Sequence, residues 1–310
     1  MLRVALVGYG SIGGGILSYC LERNHEVRIV IDSDPHKAGK TVREISRLNS
    51  DVRVLPDVRQ ADIQNVDVAI FATKSRLSQT IIEMEYVLSK GVPVVSTCEE
   101  LAYPVPASDE LARRLDSVAK EKGVSIVGVG VNPGFVMDWV PALVASASKS
   151  PTEVHVTRSV NVSRRRRQLQ NKMGVGLSKA RFEKGAAEGL LGHVGLVESL
   201  HIISASLGQK AADIKTGMSP VLGSGDYVLG ASQFAACQAG ECAVRLDIEM
   251  TVTSTDFDLI EVKGDPSLKL RFEGGVFGDS ATVALTVSAA ERIRHARPGL
   301  ITVLELPLAH

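Results

Sequence analysis

Short apolar runs alternate with segments of helical hydrophobic spacing along the first 130 residues. The apolar runs predict buried parallel strands, because a strand covered on both faces carries hydrophobic side chains at consecutive positions. Strands that alternate with helices indicate an α/β fold with a doubly wound parallel sheet, here an N-terminal Rossmann domain over residues 1–132. We predict strands over 4–7, 26–31, 52–55, 66–71, 93–97 and 124–129, and helices from the glycines at 8–13, around 38–48, through 77–84 and over 108–122.

The pattern changes after residue 132, where alternating apolar and polar positions predict half-buried strands. We predict one strand over 154–162, helices over 179–191 and 197–207, and one long strand over 243–259 that hydrophobic residues continue to 272. This indicates an α+β domain with a mostly antiparallel sheet over 133–280. A last helix over 281–296 ends at Pro298-Gly299, and we expect residues 281–310 to return to the Rossmann domain.

Composition excludes several function classes. The chain has 310 residues, 45% of them hydrophobic, and a formal net charge of zero, so it lacks the electrostatic footprint of a nucleic-acid or anionic-membrane binder. No apolar run has the length of a membrane span, and the N-terminus has no secretory pattern. The four cysteines are scattered, which is typical of reduced thiols. We therefore expect a cytoplasmic protein with no nucleic-acid or membrane partner.

The segment Gly8-Tyr9-Gly10-Ser11-Ile12-Gly13 follows the first predicted strand and opens the first helix. In this pattern the first glycine permits a tight turn, the second lets the backbone approach a pyrophosphate, and the third lets helix and strand pack closely. The phosphates then bind the N–H groups at the helix N-terminus. The segment predicts a dinucleotide-binding site; a Rossmann-like domain that has lost its ligand is the alternative.

Asp32 ends the second predicted strand, at the position where an acid meets the adenosine ribose. A carboxylate that accepts from the 2′-hydroxyl favours NAD and repels the 2′-phosphate of NADP. Ser33, His36 and Lys37 follow closely and offer a phosphate site if Asp32 turns aside. We therefore predict NAD or NADP, with NAD preferred.

Polar residues also follow three later strands, and ligands of such sheets bind beyond the carboxyl ends of the strands. We predict cofactor contacts from Thr73, Thr97 and Asn132. The turn Asn132-Pro133-Gly134 is predicted to form the floor of the substrate site, with Phe135 as pocket wall or core residue. The alternative is a turn that only redirects the chain, because Pro and Gly are ordinary turn residues.

Two segments resemble motifs of the 2,4-diaminopentanoate dehydrogenase family: Ser96-Thr97-Cys98-Glu99-Glu100, and Asn132-Pro133-Gly134-Phe135-Val136-Met137-Asp138 after Gly128-Val129-Gly130-Val131. That family includes the native amine dehydrogenases and is related in fold to dihydrodipicolinate reductase. The resemblance covers most of the chain, since further similar segments lie at 156–158, 164–167, 192–195, 198–199, 278–282 and 297–300.

The resemblance implies an NAD(P)-dependent oxidoreductase that acts on a CH–NH2 donor. Its reaction would be oxidative deamination of an amine or a diamino acid such as 2,4-diaminopentanoate, and the reverse amination of a ketone with ammonia. The resemblance also implies that the second domain binds the substrate and forms a homodimer. Dihydrodipicolinate reductases carry a paired-histidine motif and a Lys-x-x-Ser-Gly-Thr segment, and this sequence has neither. A related imine or carbonyl reductase and a catalytically inactive dinucleotide-binding sensor are the alternatives.

Amine oxidation needs a general acid or base and a group that stabilises a cationic iminium, and a carboxylate can serve both purposes. Glu99 and Glu100 follow the strand 93–97, at the sheet edge where we expect the nicotinamide. The resemblance implies that a glutamate of this motif is catalytic, and we favour Glu100 over Glu99. The alternative is that these carboxylates cap the next helix.

The second domain offers further polar candidates. Arg158 and Arg164 are predicted to bind a substrate carboxylate through paired hydrogen bonds. For the run 164–167 the alternative is a solvated face or a subunit contact. His193, between two glycines, is predicted to bind a substrate carboxylate or to transfer a proton, with a structural role as the alternative. No cysteines or histidines cluster at ligand spacing, so we predict no metal.

Overall fold

The computed structural model describes residues 1–103 and 109–307. Contacts between Cα atoms divide the chain into two compact units, Met1–Gly134 with Phe277–His310, and Phe135–Val276. The predicted divisions after 132 and 280 lie close to these limits, and the chain after Phe277 groups with the first unit. The predicted helix start at Ser108 falls outside the described residues.

The described residues contain strands and helices that we number in chain order. The strands are β1 Arg3–Val7, β2 Glu26–Ile31, β3 Val54–Leu55, β4 Val68–Phe71, β5 Val94–Ser96, β6 Ser125–Gly128, β7 Glu153–Asn161, β8 Ala211–Leu222, β9 Val228–Ala239, β10 Cys242–Thr251, β11 Phe257–Lys263, β12 Leu268–Glu273 and β13 Gly299–Ile301. The α-helices are α1 Ser11–Glu22, α2 Val42–Ser46, α3 Ile81–Ser89, α4 Asp109–Lys122, α5 Trp139–Ser146, α6 Arg167–Lys172, α7 Lys179–Ala187, α8 Leu196–Ser206 and α9 Gly278–Arg292. None of these helices is long and apolar enough to cross a bilayer.

The first unit is built on a parallel sheet with the strand order β3-β2-β1-β4-β5-β6-β13. This confirms the predicted parallel α/β sheet, and it adds β13, a short strand that the sequence analysis missed. Phe71 and Leu77 are fully buried in the core beside the sheet, with Met84 and Leu88 of α3. The strand order reverses between β1 and β4, which places a topological switch point beside the turn after β1.

Helix α9 packs against α1, and both belong to the first unit. The Arg23 guanidinium donates to Glu291 at 2.8 Å, and His25 Nε2 lies 2.9 Å from the same carboxylate. His25 Nδ1 accepts from the Leu2 N–H at 3.3 Å, so Nε2 carries the proton that His25 donates to Glu291. Burial alone would raise the pKa of Glu291, but the hydrogen bonds from Arg23 and His25 lower it below its ordinary value.

The second unit is built on a sheet with the strand order β12-β11-β7-β10-β9-β8. Only the β7–β10 pair in this sheet is parallel; the other neighbours are antiparallel. Helices α5 and α8 pack against it. The predicted α+β unit with a mostly antiparallel sheet is therefore confirmed.

The single strand predicted over 243–259 is wrong, because the structure divides it between β10 and β11. The chain turns where the Thr251 hydroxyl accepts the backbone N–H groups of Thr253 at 3.1 Å and Ser254 at 2.9 Å. Short hydroxyl side chains form such turns by bonding the backbone two or three residues ahead. Alternation of apolar residues resumes in β11, which hides the turn from a periodicity analysis.

We predict that Glu291→Gln destabilises the protein at about pH 7 by roughly 1–3 kcal/mol, because it removes the ionised acceptor of the hydrogen bonds from Arg23 and His25. A lowered folded-state pKa contributes stability above the ordinary pKa of 4.5, and this contribution is lost as the pH falls through the folded value. The difference in the free energy of unfolding between wild type and variant should therefore become smaller in acid. Urea unfolding across this pH range measures it. Glu22→Gln, at an exposed position of α1, is the matched control; equal effects of both changes would contradict the prediction.

Candidate functional site

The turn between β1 and α1 needs glycine for several separate reasons. Gly8 has φ +93°, and a Cβ there would lie 2.5 Å from the Ala72 carbonyl oxygen. A Cβ on Gly13 would lie 1.9 Å from the Gly8 carbonyl oxygen. No atom lies within 4 Å of the position that a Cβ on Gly10 would take, so the backbone there faces open space. These are the geometric requirements expected for a dinucleotide-binding turn.

The N-terminus of α1 fits the pyrophosphate of a dinucleotide. Its N-cap residue Gly10 makes no side-chain cap bond, and its first turn has no acidic residue. The first N–H groups of a helix have no intrahelical acceptors and can bind phosphate oxygens. Ser11 is exposed and Ile12 is half-buried, and we assign the contribution of both to their backbone N–H groups.

Asp32, directly after β2, is held by three donors. Its Oδ2 accepts the Tyr9 N–H at 2.8 Å and the Lys37 ammonium at 2.9 Å, and its Oδ1 accepts the Asp34 N–H at 2.9 Å. Burial alone would raise the pKa of Asp32, but the bonds from Asp34, Lys37 and Tyr9 lower it. The side chain therefore stays a carboxylate beside the glycine turn. Ser33 is exposed and makes no part of this arrangement.

Tyr9 directs its side chain away from the open side of the turn. Its ring is buried, at 4% exposure, and its hydroxyl is bonded to the Ser46 hydroxyl at the end of α2. The part of Tyr9 that serves the glycine turn is the backbone, whose N–H holds Asp32. The sequence pattern gave no sign that Tyr9 links the turn to α2.

The carboxyl ends of β4, β5 and β6 lie at the same sheet edge as the glycine turn, because these strands are parallel. Thr73 is exposed there, and its methyl group lies 2.9 Å from the position of a Cβ on Gly8. The Thr97 N–H donates to the Phe71 carbonyl at 2.9 Å, which joins the ends of β5 and β4. The structure thus brings two predicted cofactor residues to one edge.

The segment after β6 turns back on itself. Asn132 is 7% exposed, and its bond to Pro133 is cis. Gly134 has φ +122°, and a Cβ on it would lie 2.5 Å from the Gly130 backbone nitrogen. Only glycine fits this close approach of two backbone segments. The turn predicted at 132–134 is therefore real, and it lies at the sheet edge that carries the glycine turn.

Glu99 and Glu100 lie on a single turn of 3-10 helix, Glu99–Leu101, that follows β5. Glu100 Oε2 accepts the Leu77 N–H at 2.8 Å, and its Oε1 lies 3.7 Å from Arg76. Glu100 thereby fastens the loop after β4 to the end of β5. Glu99 is half-buried on the same turn.

Two neighbouring residues shape this carboxylate turn. Gly128 of β6 permits its approach, since a Cβ on Gly128 would lie 2.5 Å from the Ala102 nitrogen. Cys98 donates to the Ser75 carbonyl at 3.1 Å. Burial, together with Glu99 and Glu100, raises the pKa of Cys98 to about 12. The thiol is therefore protonated at neutral pH, and its bond to the Ser75 carbonyl gives it a structural role.

Arg158, in the second unit, has a different role from the one predicted. Its Nη1 donates to Asp258 at 2.6 Å and its Nη2 donates to the Val276 carbonyl at 2.8 Å, while Asp258 accepts the Val276 N–H at 2.7 Å. Arg158 is 2% exposed and Asp258 is 1% exposed. These bonds occupy Nη1 and Nη2 inside the unit, and the buried Nε has no hydrogen-bond partner among the described residues. We therefore no longer expect Arg158 to bind a substrate carboxylate through paired hydrogen bonds.

The run 164–167 divides between surface and interior. Arg164 is exposed, at the end of the 3-10 turn Val162–Arg164. Arg165 is the buried member, at 8% exposure. The sequence could not distinguish them, because four consecutive arginines carry no periodic signal. In the described residues, Arg164 is placed like a solvated side chain.

His193 lies in a loop that a glutamine fixes. The His193 N–H donates to Gln233 Oε1 at 2.6 Å, and Gln233 Nε2 donates back to the His193 carbonyl at 3.4 Å. Gly192 has φ +100°, and Gly195, with φ +108°, is the N-cap of α8. Sequence reasoning missed Gln233, since nothing in β9 distinguishes it from the other polar residues.

Phe135 and Asp138 begin the second unit. The Phe135 ring lies 5.8 Å from the Trp139 ring, in a tilted arrangement. Asp138 is fully buried and accepts the Trp139 N–H at 2.6 Å and the Ser199 hydroxyl at 2.7 Å. It therefore caps α5 and joins it to α8. Across the described ranges, no group of histidine, cysteine and acidic side chains could hold a metal ion.

Comparison with known families gives two matches. Residues 135–310 match the 2,4-diaminopentanoate dehydrogenase C-terminal domain. Residues 3–100 match a family described as NADP oxidoreductase, coenzyme F420-dependent. The first match covers more than half of the chain and the second covers the glycine turn and β1–β5, so the two together span nearly the whole sequence.

Individual relatives agree with these matches. The chain is 29% identical to 2,4-diaminopentanoate dehydrogenase from Acetoanaerobium sticklandii, over 99% of this chain and 94% of that protein. Its fold is similar to that of an amine dehydrogenase from Mycobacterium smegmatis, with TM-score 0.89 and 22% identity over 100% of this chain and 97% of the other. A more distant similarity is to the WlbA dehydrogenase from Bordetella pertussis in complex with NADH and UDP-GlcNAcA, with TM-score 0.55 and 14% identity over 87% and 79% of the two chains.

We predict that two alanine substitutions in the glycine turn affect different properties, one the stability of the protein and the other its affinity for the dinucleotide. Gly13→Ala forces the backbone apart and should destabilise the protein by about 1–3 kcal/mol. Gly10→Ala adds a methyl group to open space, so stability should change by less than about 0.5 kcal/mol, while dinucleotide affinity falls. Thermal unfolding and calorimetric titration with NAD+ measure the two effects. Full NAD+ affinity in Gly10→Ala would show that the pyrophosphate binds elsewhere.

Proposed function

The chain belongs to the 2,4-diaminopentanoate dehydrogenase family, and we propose that it catalyses the NAD(P)-dependent oxidative deamination of an amine or diamino acid and the reverse reductive amination. The observation that carries the proposal is the family match over residues 135–310. The similarity of the whole chain to the curated dehydrogenase supports it. We assign to this protein a substrate that resembles 2,4-diaminopentanoate.

The residues of the first unit fit a nicotinamide dinucleotide. The N–H groups at the start of α1 would hold the pyrophosphate, and Asp32 would hold the adenosine ribose. A nicotinamide held there would supply the acceptor for the hydride on the carbon that carries the amine. We propose NAD as the preferred cofactor, which the ionised state of Asp32 supports.

The remaining chemistry is proton transfer, which the chain's own side chains must perform. The substrate amine must lose a proton before its carbon can release a hydride. Water then adds to the iminium, and ammonia leaves as the carbonyl forms. A carboxylate at the sheet edge can accept the first proton and release it to solvent. Ionised again, it can stabilise the iminium charge, accept a proton from the attacking water and return that proton to the departing nitrogen.

We assign proton transfer to the pair Glu99 and Glu100, with separate roles for the two. The bond from the Leu77 N–H to Glu100 supports a positioning role for Glu100, since it holds the loop after β4. We propose Glu99, half-buried on the same turn, as the acid and base. The sequence favours Glu100 for this role, and the variants described below decide between the two assignments.

The second unit is proposed to select the substrate and to form a homodimer. Helices α5 and α8 pack on its sheet, while alternate residues of β10 such as Arg245 stay exposed. Arg245 lies over the Phe234 ring at 4.9 Å and bonds Asp247, which gives this face mixed polar and aromatic character. Light scattering in solution tests the dimer. Contacts of Arg164, His193 and Phe135 with substrate stay predictions, as does the cytoplasmic location.

We expect oxidation of NADH or NADPH to depend on ammonium when the protein is supplied with ketones or keto acids, because ammonia is a co-substrate of reductive amination. Absorbance at the nicotinamide band measures the rate. In the other direction, 2,4-diaminopentanoate should reduce NAD+. Cofactor oxidation without ammonium would instead indicate a carbonyl reductase, and tight cofactor binding without any turnover would indicate a sensor.

For the carboxylate pair we expect Glu99→Gln to lower kcat by roughly 10²–10⁴, the usual contribution of a general acid or base. Glu100→Gln should keep most of the activity, since an amide oxygen still accepts the Leu77 N–H. Glu100→Ala removes that acceptor and should lose more activity than Glu100→Gln. All three should keep their NAD+ affinity within about threefold, a difference of under 1 kcal/mol.

Steady-state kinetics and calorimetric titration decide between the two assignments. A Glu100→Gln variant as inactive as Glu100→Ala, beside an active Glu99→Gln, would transfer the proton role to Glu100. Loss of activity together with loss of cofactor affinity in Glu99→Gln would show a structural role for Glu99.

A further inference from the structure

The ion pair between Asp32 and Lys37 lies at the adenosine end of the proposed dinucleotide site. The Lys37 ammonium donates to Asp32 Oδ2 at 2.9 Å and to the Tyr9 carbonyl at 3.0 Å. Asp34 lies 3.8 Å from the same ammonium. The side chains of Asp32 and Lys37 are 13% and 24% exposed, so the pair is largely shielded but still reachable by a ligand.

The pair leaves Asp32 with little capacity to bind a ribose. A carboxylate has about four acceptor positions, two on each oxygen. Oδ2 already accepts Tyr9 and Lys37, and Oδ1 already accepts Asp34. One position remains, on Oδ1, whereas the ribose of NAD offers two vicinal hydroxyl groups. Asp32 can therefore accept a hydrogen bond from only one ribose hydroxyl. It selects NAD over NADP less strongly than a carboxylate with all of its acceptor positions open would.

The pair also changes the charge that an incoming cofactor meets. An isolated carboxylate repels a 2′-phosphate, but an ammonium within hydrogen-bond distance offsets that charge. The Lys37 ammonium has three donors, and two of them bind Asp32 and the Tyr9 carbonyl. The third is directed at no acceptor closer than Asp34 among the described contacts. A phosphate beside Lys37 would gain a charge-assisted bond without requiring Asp32 to turn away.

We propose that Lys37 is a specificity-determining residue that lets this site accept the 2′-phosphate of NADP as well as the ribose diol of NAD. The inference rests on the dinucleotide site of the proposed function, and it does not depend on the amine chemistry. With NADP, Lys37 binds the phosphate; with NAD it stays on Asp32, which the Tyr9 and Asp34 N–H groups also hold.

The test measures equilibrium dissociation constants of NAD+ and NADP+ by calorimetry, in the absence of substrate. In Lys37→Met we expect NADP+ to bind about 10- to 100-fold more weakly, the usual effect of one lost hydrogen bond to a charged group. NAD+ should change by less than about threefold, because Asp32 keeps its bonds from Tyr9 and Asp34. Lys37→Arg should retain NADP+ binding. Lys40→Met, at an exposed lysine nearby, is the matched control and should change neither constant.

Several outcomes would overturn the inference. Equal weakening of both cofactors in Lys37→Met would show that Lys37 only supports the turn, and unchanged NADP+ binding would show that it has no part in phosphate recognition. If Lys37→Met does not fold, the intact protein decides: 2′,5′-ADP should bind within about tenfold of 5′-ADP, and much weaker binding of 2′,5′-ADP overturns the inference. Failure to bind any dinucleotide would overturn the proposed function as well, whereas the selective outcomes concern Lys37 alone.

Discussion

Gly13 of α1 lies so close to β1 that a single Cβ there would meet the Gly8 carbonyl oxygen at 1.9 Å. This contact sets the distance between the first strand and the first helix, and it directs the helix N-terminus to the open side of Gly10. Asp32 can reach the Tyr9 N–H only because the turn follows this path. The pyrophosphate position and the ribose position of the proposed cofactor site both depend on this one backbone approach.

Carboxylates join neighbouring strand ends of the first sheet in a recurring way. Asp32, after β2, accepts a backbone N–H from the turn after β1. Glu100, after β5, accepts a backbone N–H from the loop after β4. Each bond satisfies a backbone donor that a loop would otherwise leave to solvent, and each fixes the loop on which a ligand would lie. Asp32 and Glu100 therefore hold loops at this sheet edge, while we propose Glu99 for proton transfer.

The sequence was sufficient where one local pattern determines the structure. The glycine turn, the parallel strands and the acid at position 32 follow from rules that involve only neighbouring residues. β8 and β9 were missed for physical reasons. Pro220 lies within β8 and weakens its strand-like sequence pattern; the structure tolerates this proline because β8 is an edge strand. β9 carries small and polar residues with weak strand propensity, and its place in the sheet depends on partners distant in the chain.

The sequence also could not show which polar side chains form hydrogen bonds with each other. Arg158 looked available for a substrate carboxylate, but Asp258, one hundred positions later, occupies it. Gln233 fixes the His193 loop from forty positions away. A single sequence does not show such pairs, because each member is an ordinary residue in its own segment. The structure therefore gives these side chains partners that the sequence analysis did not foresee.

The proposed amine chemistry is tested most directly by following nitrogen from ammonium into the product. The protein would be incubated with NADH, a ketone or keto-acid panel and ammonium labelled with nitrogen-15, and the products analysed by mass spectrometry. We expect an amine that contains the labelled nitrogen, formed in equal amount to the NADH oxidised. An unlabelled alcohol formed at the expense of NADH would contradict it.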